Sequence, residues 1–183
     1  TLDSQSRGDG GWLDIVGFGR VANDPDSDVI RDYAVDGQGT ATVKGSGSSW
    51  HSVNQLLVGD GGAGKLSVLD GGSASFSGRA SVGVAVTSYD YTSDPSTGSL
   101  SSTAVGSKAG NGVVEVSGQG SSLRIDASPA SLGLGNGDVV VGDSSTGTLS
   151  VDDEGSVDAA GVLMVGNQAQ GTLTITGGGT LAV

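Results

Sequence analysis

The 183 residues include 35 Gly, with 4% aromatic and 15% charged side chains and a formal net charge of −12. So much glycine argues against long helices, and no stretch shows apolar residues at a 3.6-residue period. Twenty acidic against eight basic residues, with no basic cluster, argue against nucleic acid or anionic membrane as partners, and the lack of Cys excludes disulfides and thiolate metal sites.

Residues 1–36 are the least repetitive part. Trp12-Leu13-Asp14-Ile15-Val16 predicts a strand, Asn23-Asp24-Pro25-Asp26-Ser27-Asp28 a loop, and Val29-Ile30-Arg31-Asp32-Tyr33-Ala34-Val35 a second strand. From Gly37 a repeat begins. Gly39-Thr40-Ala41-Thr42-Val43 opens it, and Gly45-Ser46-Gly47-Ser48-Ser49-Trp50 is a turn followed by an aromatic. That half-phrase is echoed at residues 116–123, with Leu123 in the place of Trp50. The fuller phrase appears at Val58-Gly59-Asp60, followed by Gly64-Lys65-Leu66-Ser67-Val68, and Val82-Gly83 lies one repeat further on. Val105-Gly106 and Gly112-Val113-Val114-Glu115-Val116 read as partial copies.

The clearest copies are VGDSSTGTLSVDDEG, starting at Val141, and VGNQAQGTLTITGGG, starting at Val165. Gly142 to Gly166 and Gly147 to Gly171 both span 24 positions. In each copy two apolar residues, Leu149 and Val151 or Leu173 and Ile175, alternate with hydroxyl residues, which is the period of a strand. Low aromatic content and high net charge favour disorder, but alternating apolar triplets at a fixed repeat are not something disorder requires. A repeat of this length, built from short strands and Gly, Asp and Asn turns, predicts an all-β fold: a single-stranded parallel β-helix (solenoid) with coils of about 24 residues. Leu149 then stacks with Leu173 and Val151 with Ile175, while Ser150 and Thr174 face out. Residues 1–36 form less regular N-terminal coils or a cap. Residues 37–183 form the repeat-built β-helix, with insertions near 84–105 and 124–138.

The phrases VKGSGSSW…LLVGDGGAGKLSVLDGG and VVVGDSSTGTLSVDDEG…LMVGNQAQGTLTITGGG resemble the passenger-associated repeats of bacterial autotransporters, over residues 37–183. The resemblance implies a right-handed parallel β-helix that crosses the periplasm and is displayed on, or released from, a Gram-negative cell. It implies a fragment of a longer chain, with adhesion, aggregation or a virulence role. The expected partner is a host-cell or matrix protein or glycan, or a second copy, with no membrane insertion by this segment. The alternatives are the stalk of an enzymatic or toxin passenger, or a released effector that binds a host receptor.

Asp24, Asp26 and Asp28 are spaced like the opening of a calcium loop, but Pro25 interrupts them and the twelfth position is Val35. They read as a solvated acidic loop. Gly61-Gly62-Ala63-Gly64-Lys65-Leu66 resembles a calcium-binding nonapeptide, except that Lys65 stands where the ligand Asp belongs. Asp152, Asp153 and Glu154 invite comparison with glycosidase carboxylate pairs, but consecutive turn residues point in different directions. His51 is the single histidine, and nothing in the sequence places a nucleophile beside it. Thr172-Leu173-Thr174 and Thr148-Leu149-Ser150 are hydroxyl arrays too short for an ice-binding face. No catalytic, cofactor or metal site is therefore expected. The candidate contact loop is the insertion after Gly83, where Tyr89, Asp90, Tyr91 and Asp94 depart from the repeat; Tyr gives contact area at little entropic cost. A second insertion, residues 127–137, is rich in small residues.

Overall fold

The computed structural model describes residues 7–10, 13–15, 18–20, 29–34, 38–53, 55–93, 97, 99–129 and 136–183. Among them there is no helix. The fold is all-β, its strands mostly parallel and stacked in sheets, an arrangement compatible with a β-helix. The strands expected near Trp12 and Val29 are present at Leu13–Ile15 and Val29–Ala34. Trp12, Val16 and the acidic loop 23–28 lie outside the described residues.

Four strands come first: β1 (Arg7–Gly10), β2 (Leu13–Ile15), β3 (Phe18–Arg20) and β4 (Val29–Ala34). Two circuits of three strands follow, β5 (Gln38–Lys44), β6 (Ser49–Ser52) and β7 (Leu56–Asp60), then β8 (Ala63–Leu69), β9 (Ser73–Ser77) and β10 (Ala80–Val84). A hairpin, β11 (Val86–Ser93) and β12 (Leu100–Lys108), interrupts them. The circuits resume with β13 (Asn111–Ser117), β14 (Ser122–Asp126) and β15 (Val139–Val141), then β16 (Thr146–Asp152), β17 (Ser156–Ala159) and β18 (Leu163–Val165), and finally β19 (Gly171–Ile175) and β20 (Thr180–Ala182).

Each circuit contributes one strand to each of three parallel sheets. The first sheet is ordered β19-β16-β13-β8-β5, the second β1-β6-β9-β14-β17-β20 and the third β18-β15-β10-β7-β2. Like residues therefore lie over like. One row runs Ala41, Leu66, Val114, Leu149, Leu173, and the next Val43, Val68, Val116, Val151, Ile175. The inner residues of the middle rungs are buried, and together they form one core. Each such burial is worth roughly 1.5–3 kcal/mol. Rows also exchange volume between rungs: Trp50, Ala74 and Leu123 are successive in one row, Ser52, Phe76 and Ile125 in the next. The small Ala74 makes room for the Trp50 ring, which meets Phe76 edge-on at 5.9 Å.

Two kinds of corner close each circuit. Between the first and second sheets the turns are tight and closed by an i→i+3 bond, among them Gly72 N to Leu69 O, Gly155 N to Asp152 O and Gly179 N to Thr176 O. In these three turns both central residues have positive φ: 51° and 86° at Asp70 and Gly71, 46° and 64° at Asp153 and Glu154. This is the conformation of a type I′ turn, which Glu adopts only under strain. Between the third and first sheets the corner is the Val-Gly of the repeat. The amide of Gly142 donates to Val82 O, and that of Gly166 to Val141 O, both at 2.8 Å. A Cβ on Gly147 would lie 2.3 Å from Val82 O and 2.4 Å from Gly142 N, in contact with both ends of that bond. Gly171 stands in the same relation to Val141 O and Gly166 N, and Gly112 to Val58 O and Gly83 N. The second glycine of the repeat is therefore required for space.

Candidate functional site

The two largest departures from the repeat leave the stack at the same corner. One, containing β3 and β4, runs from the third sheet (β2) to the first (β5). The other, containing β11 and β12, runs from the third sheet (β10) to the first (β13). Since β2, β7 and β10 are successive rungs, the two segments emerge about 9.6 Å apart, two strand spacings. They meet there. β11 pairs antiparallel with β4, and the resulting four-stranded sheet is ordered β12-β11-β4-β3.

The segment expected as a loop is thus mostly strand. Its Ser, Thr, Tyr and Val residues favour extended backbone, and β11 and β12 align from Val86↔Lys108 to Ser93↔Leu100, with a register shift between Ser88 and Tyr89. Tyr89, Asp90 and Tyr91 lie on β11, opposite Asp32, Arg31 and Ile30 of β4. Asp94 lies outside the described residues. Tyr89 is 37% exposed and Val105 48%. Residues 101–107 are exposed at every position along β12, so both faces of this outer strand meet solvent. Sheet edges and exposed aromatics of this kind are what peptide and protein ligands use. Gly106, which reads in sequence as a corner glycine, sits on β12 with nothing within 4 Å of its Cβ position.

The other acidic and basic candidates make contacts within and between rungs. The Asp152 carboxylate accepts from Asp153 N and from Thr176 Oγ1, both at 2.8 Å, and Glu154 N donates to Gly177 O at 3.0 Å. These acids tie one turn to the next rung. The corner carboxylate Asp143 takes the Arg79 guanidinium at 2.7 Å and Asn167 Nδ2 at 3.0 Å. Asp60, at the equivalent corner, lies against Val84 in the register, and burial raises its carboxyl pKa above the ordinary value. Lys65 pairs with Glu115 at 2.8 Å and Lys44 with Asp70 at 3.2 Å; both pairs are largely exposed and worth little. Among the described residues no three of His, Cys, Asp and Glu converge on a point where a metal ion would fit.

One pairing was not evident from the sequence. His51 Nδ1 lies 2.8 Å from Ser75 Oγ. The signal was present, because the two residues are one repeat of 24 apart and therefore occupy the same place on successive rungs. The row continues with Asp9 on one side and Arg124 on the other. His51 is exposed and Ser75 half-buried, and the pair forms a hydrogen bond between neighbouring strands.

No family model matches the chain, and no curated protein and no solved structure is significantly similar to it.

Proposed function

We propose that the stacked circuits are the coils of a right-handed parallel β-helix of the bacterial autotransporter passenger kind, and that the chain is a non-enzymatic module for adhesion or self-association at a cell surface. The observation that carries this reading is the four-stranded sheet raised on one corner of the repeat. A regular stack whose outer faces carry ion pairs and hydrogen bonds serves as the support. Among the described residues the most elaborate feature built on it is a hairpin bearing the partly exposed Tyr89, with β12 at the edge of its sheet. The partner is a host-cell or matrix protein or glycan, or a second copy, and no cofactor is required. Net charge −12 fits surface exposure and opposes binding to nucleic acid.

The test compares the parent with a variant in which residues 86–104 are replaced by a short Gly-Ser linker. Both are displayed on a non-adherent cell and assayed for cell–cell clumping and for binding to host cells and matrix. Loss of either property in the linker variant, with its far-UV circular dichroism intact, is the expected result. Equal behaviour of the two proteins would remove the hairpin from the reading, and inertness of both would overturn it.

A further inference from the structure

The four-stranded sheet has two edges, and they differ. β3, at one edge, is three residues long, the short kind that resists pairing. β12, at the other, runs for nine residues, and among the described residues no strand lies beyond it. The rungs that follow add none at this corner: β15 passes to β16 and β18 to β19 through the short Val-Gly corners at Gly142 and Gly166. Long edges are usually blunted by Lys, Pro or a bulge. Residues 96–107 contain no Asp, Glu, Lys, Arg or Pro. One device is present: Ser88 opposes Gly106 and Tyr89 opposes Ala104, so Val105 is an extra residue in β12, a bulge. It ends the straight run at Ala104 and leaves the segment before it, with the exposed Ser102, Thr103 and Ala104, unguarded.

Charge decides which strand this edge can take and in which direction. Two copies that each carry −12 repel wherever their charged surfaces meet, but the run 96–107 is neutral, and two such runs can touch without opposing charges of like sign. β12 is rooted in the stack at Lys108, where the chain turns into β13. Parallel pairing of two β12 strands would set both roots, and both stacks, side by side. Antiparallel pairing about a two-fold axis at Thr103 sets the roots at opposite ends of the joined edge. They then stand about 30 Å apart at roughly 3.4 Å per residue, well beyond the Debye length of about 8 Å. Ser102 of each copy opposes Ala104 of the other, and Thr103 opposes Thr103, small uncharged pairs that suit a cross-strand contact.

We propose that β12 is a homotypic docking edge, and that two copies of this chain join there, β12 to β12, antiparallel about a two-fold axis near Thr103. This rests on the self-association half of the reading above and names its contact. The backbone N–H and C=O groups of residues 102–104 that point away from β11 pair across the junction, as in strand addition to a sheet edge. The two hairpin sheets become one continuous sheet. The contact is isologous and closes at two copies, and the three-residue β3 at the far edge gives no second place to extend it. So short a contact is weak in a single pair and gains strength from the number of copies a surface carries.

The 183-residue chain has no Cys, so a single introduced thiol reports contact between copies without competition. Ser102→Cys, Thr103→Cys and Ala104→Cys, with Thr87→Cys on the exposed part of β11 as control, are oxidised at several hundred micromolar and the linked dimer is measured. An antiparallel pair brings a residue within disulfide reach of its own copy only at the two-fold. The yield should therefore peak at one of the three β12 positions, about 10-fold above Thr87→Cys. Equal yields at all three would mean parallel strands and overturn the two-fold, and yields no higher than the control would overturn the edge contact. Thr103→Lys, which sets like charges across the junction, should weaken clumping of displaying cells about 5-fold and leave their binding to host cells and matrix unchanged, with the far-UV spectrum intact. Undiminished clumping would overturn the proposal. If clumping persists in Thr103→Lys yet is lost when residues 86–104 are replaced by the linker, the hairpin keeps its place in the functional reading and only this edge is wrong.

Discussion

Substituting Gly147 isolates a cost that the repeat imposes at each corner of the stack. The new Cβ would lie 2.3 Å from Val82 O and 2.4 Å from Gly142 N, about 1 Å inside ordinary contact with each. Those atoms are the two ends of the 2.8 Å bond that joins adjacent rungs. Relief requires spreading that bond, which leaves a buried donor and a buried acceptor without partners at about 1–3 kcal/mol each, or holding the overlap at a similar cost. The expected loss for Gly147→Ala is therefore about 2–6 kcal/mol, a large share of a typical folding free energy. Two controls separate the contributions. Gly166 has φ +78° but no atom nearer than 3.5 Å, so Gly166→Ala measures backbone strain alone, about 1 kcal/mol. Gly106 has neither constraint, and Gly106→Ala should lie within about 0.5 kcal/mol of the parent. Urea unfolding followed by circular dichroism gives all three values. If Gly147→Ala unfolds at the same midpoint as Gly106→Ala, the corner is not packed as described and the argument from glycine spacing fails.

Other substitutions report on separate features. Glu154 holds φ +64°, so Glu154→Gly should raise stability by about 0.5–1 kcal/mol after allowing for glycine's freedom in the unfolded chain; a lower melting temperature would refute the strain. Phe76 is 1% exposed and braces Trp50, so Phe76→Ala should cost about 3–5 kcal/mol and shift the tryptophan emission to the red. Burial raises the Asp60 pKa, so the folded chain takes up this proton at a higher pH than the unfolded chain does. The group therefore weakens the fold at neutral pH, and the penalty fades as pH falls through the raised value towards the ordinary 3.8. Asp60→Asn should be more stable than the parent at neutral pH, with the difference closing on acidification; a constant difference would exclude titration as its source.

Much of the stack was legible because register in a repeat is a matter of counting. Residues 24 apart share a place on successive rungs, which put Leu149 with Leu173 and Val151 with Ile175. The same count reads insertions at 84–105 and 124–138. What the segments outside the repeat do with one another was not legible. The pairing of β11 with β4 joins two segments outside the repeat, and only the position of both at one corner predicts that they meet. Val105-Gly106 misled for a related reason. The dipeptide matches the corner, but the glycine that Gly112 serves is Gly83, across the hairpin. His51 and Ser75 could have been paired by the same count of 24, had it been applied to polar positions as well as apolar ones.

The corners divide the labour of change. The junctions between first and second sheets hold three or four residues throughout, locked by bonds to their own strand or the next rung. All of the added chain enters elsewhere, between the second and third sheets or between the third and the first. An added segment must return to its starting point, and closing such a loop costs only about 0.6 kcal/mol for each doubling of its length. A lineage carrying this fold can therefore lengthen, shorten or exchange what it displays at those ports without renegotiating the ladders beneath, so that variation in recognition and the inheritance of stability become nearly independent.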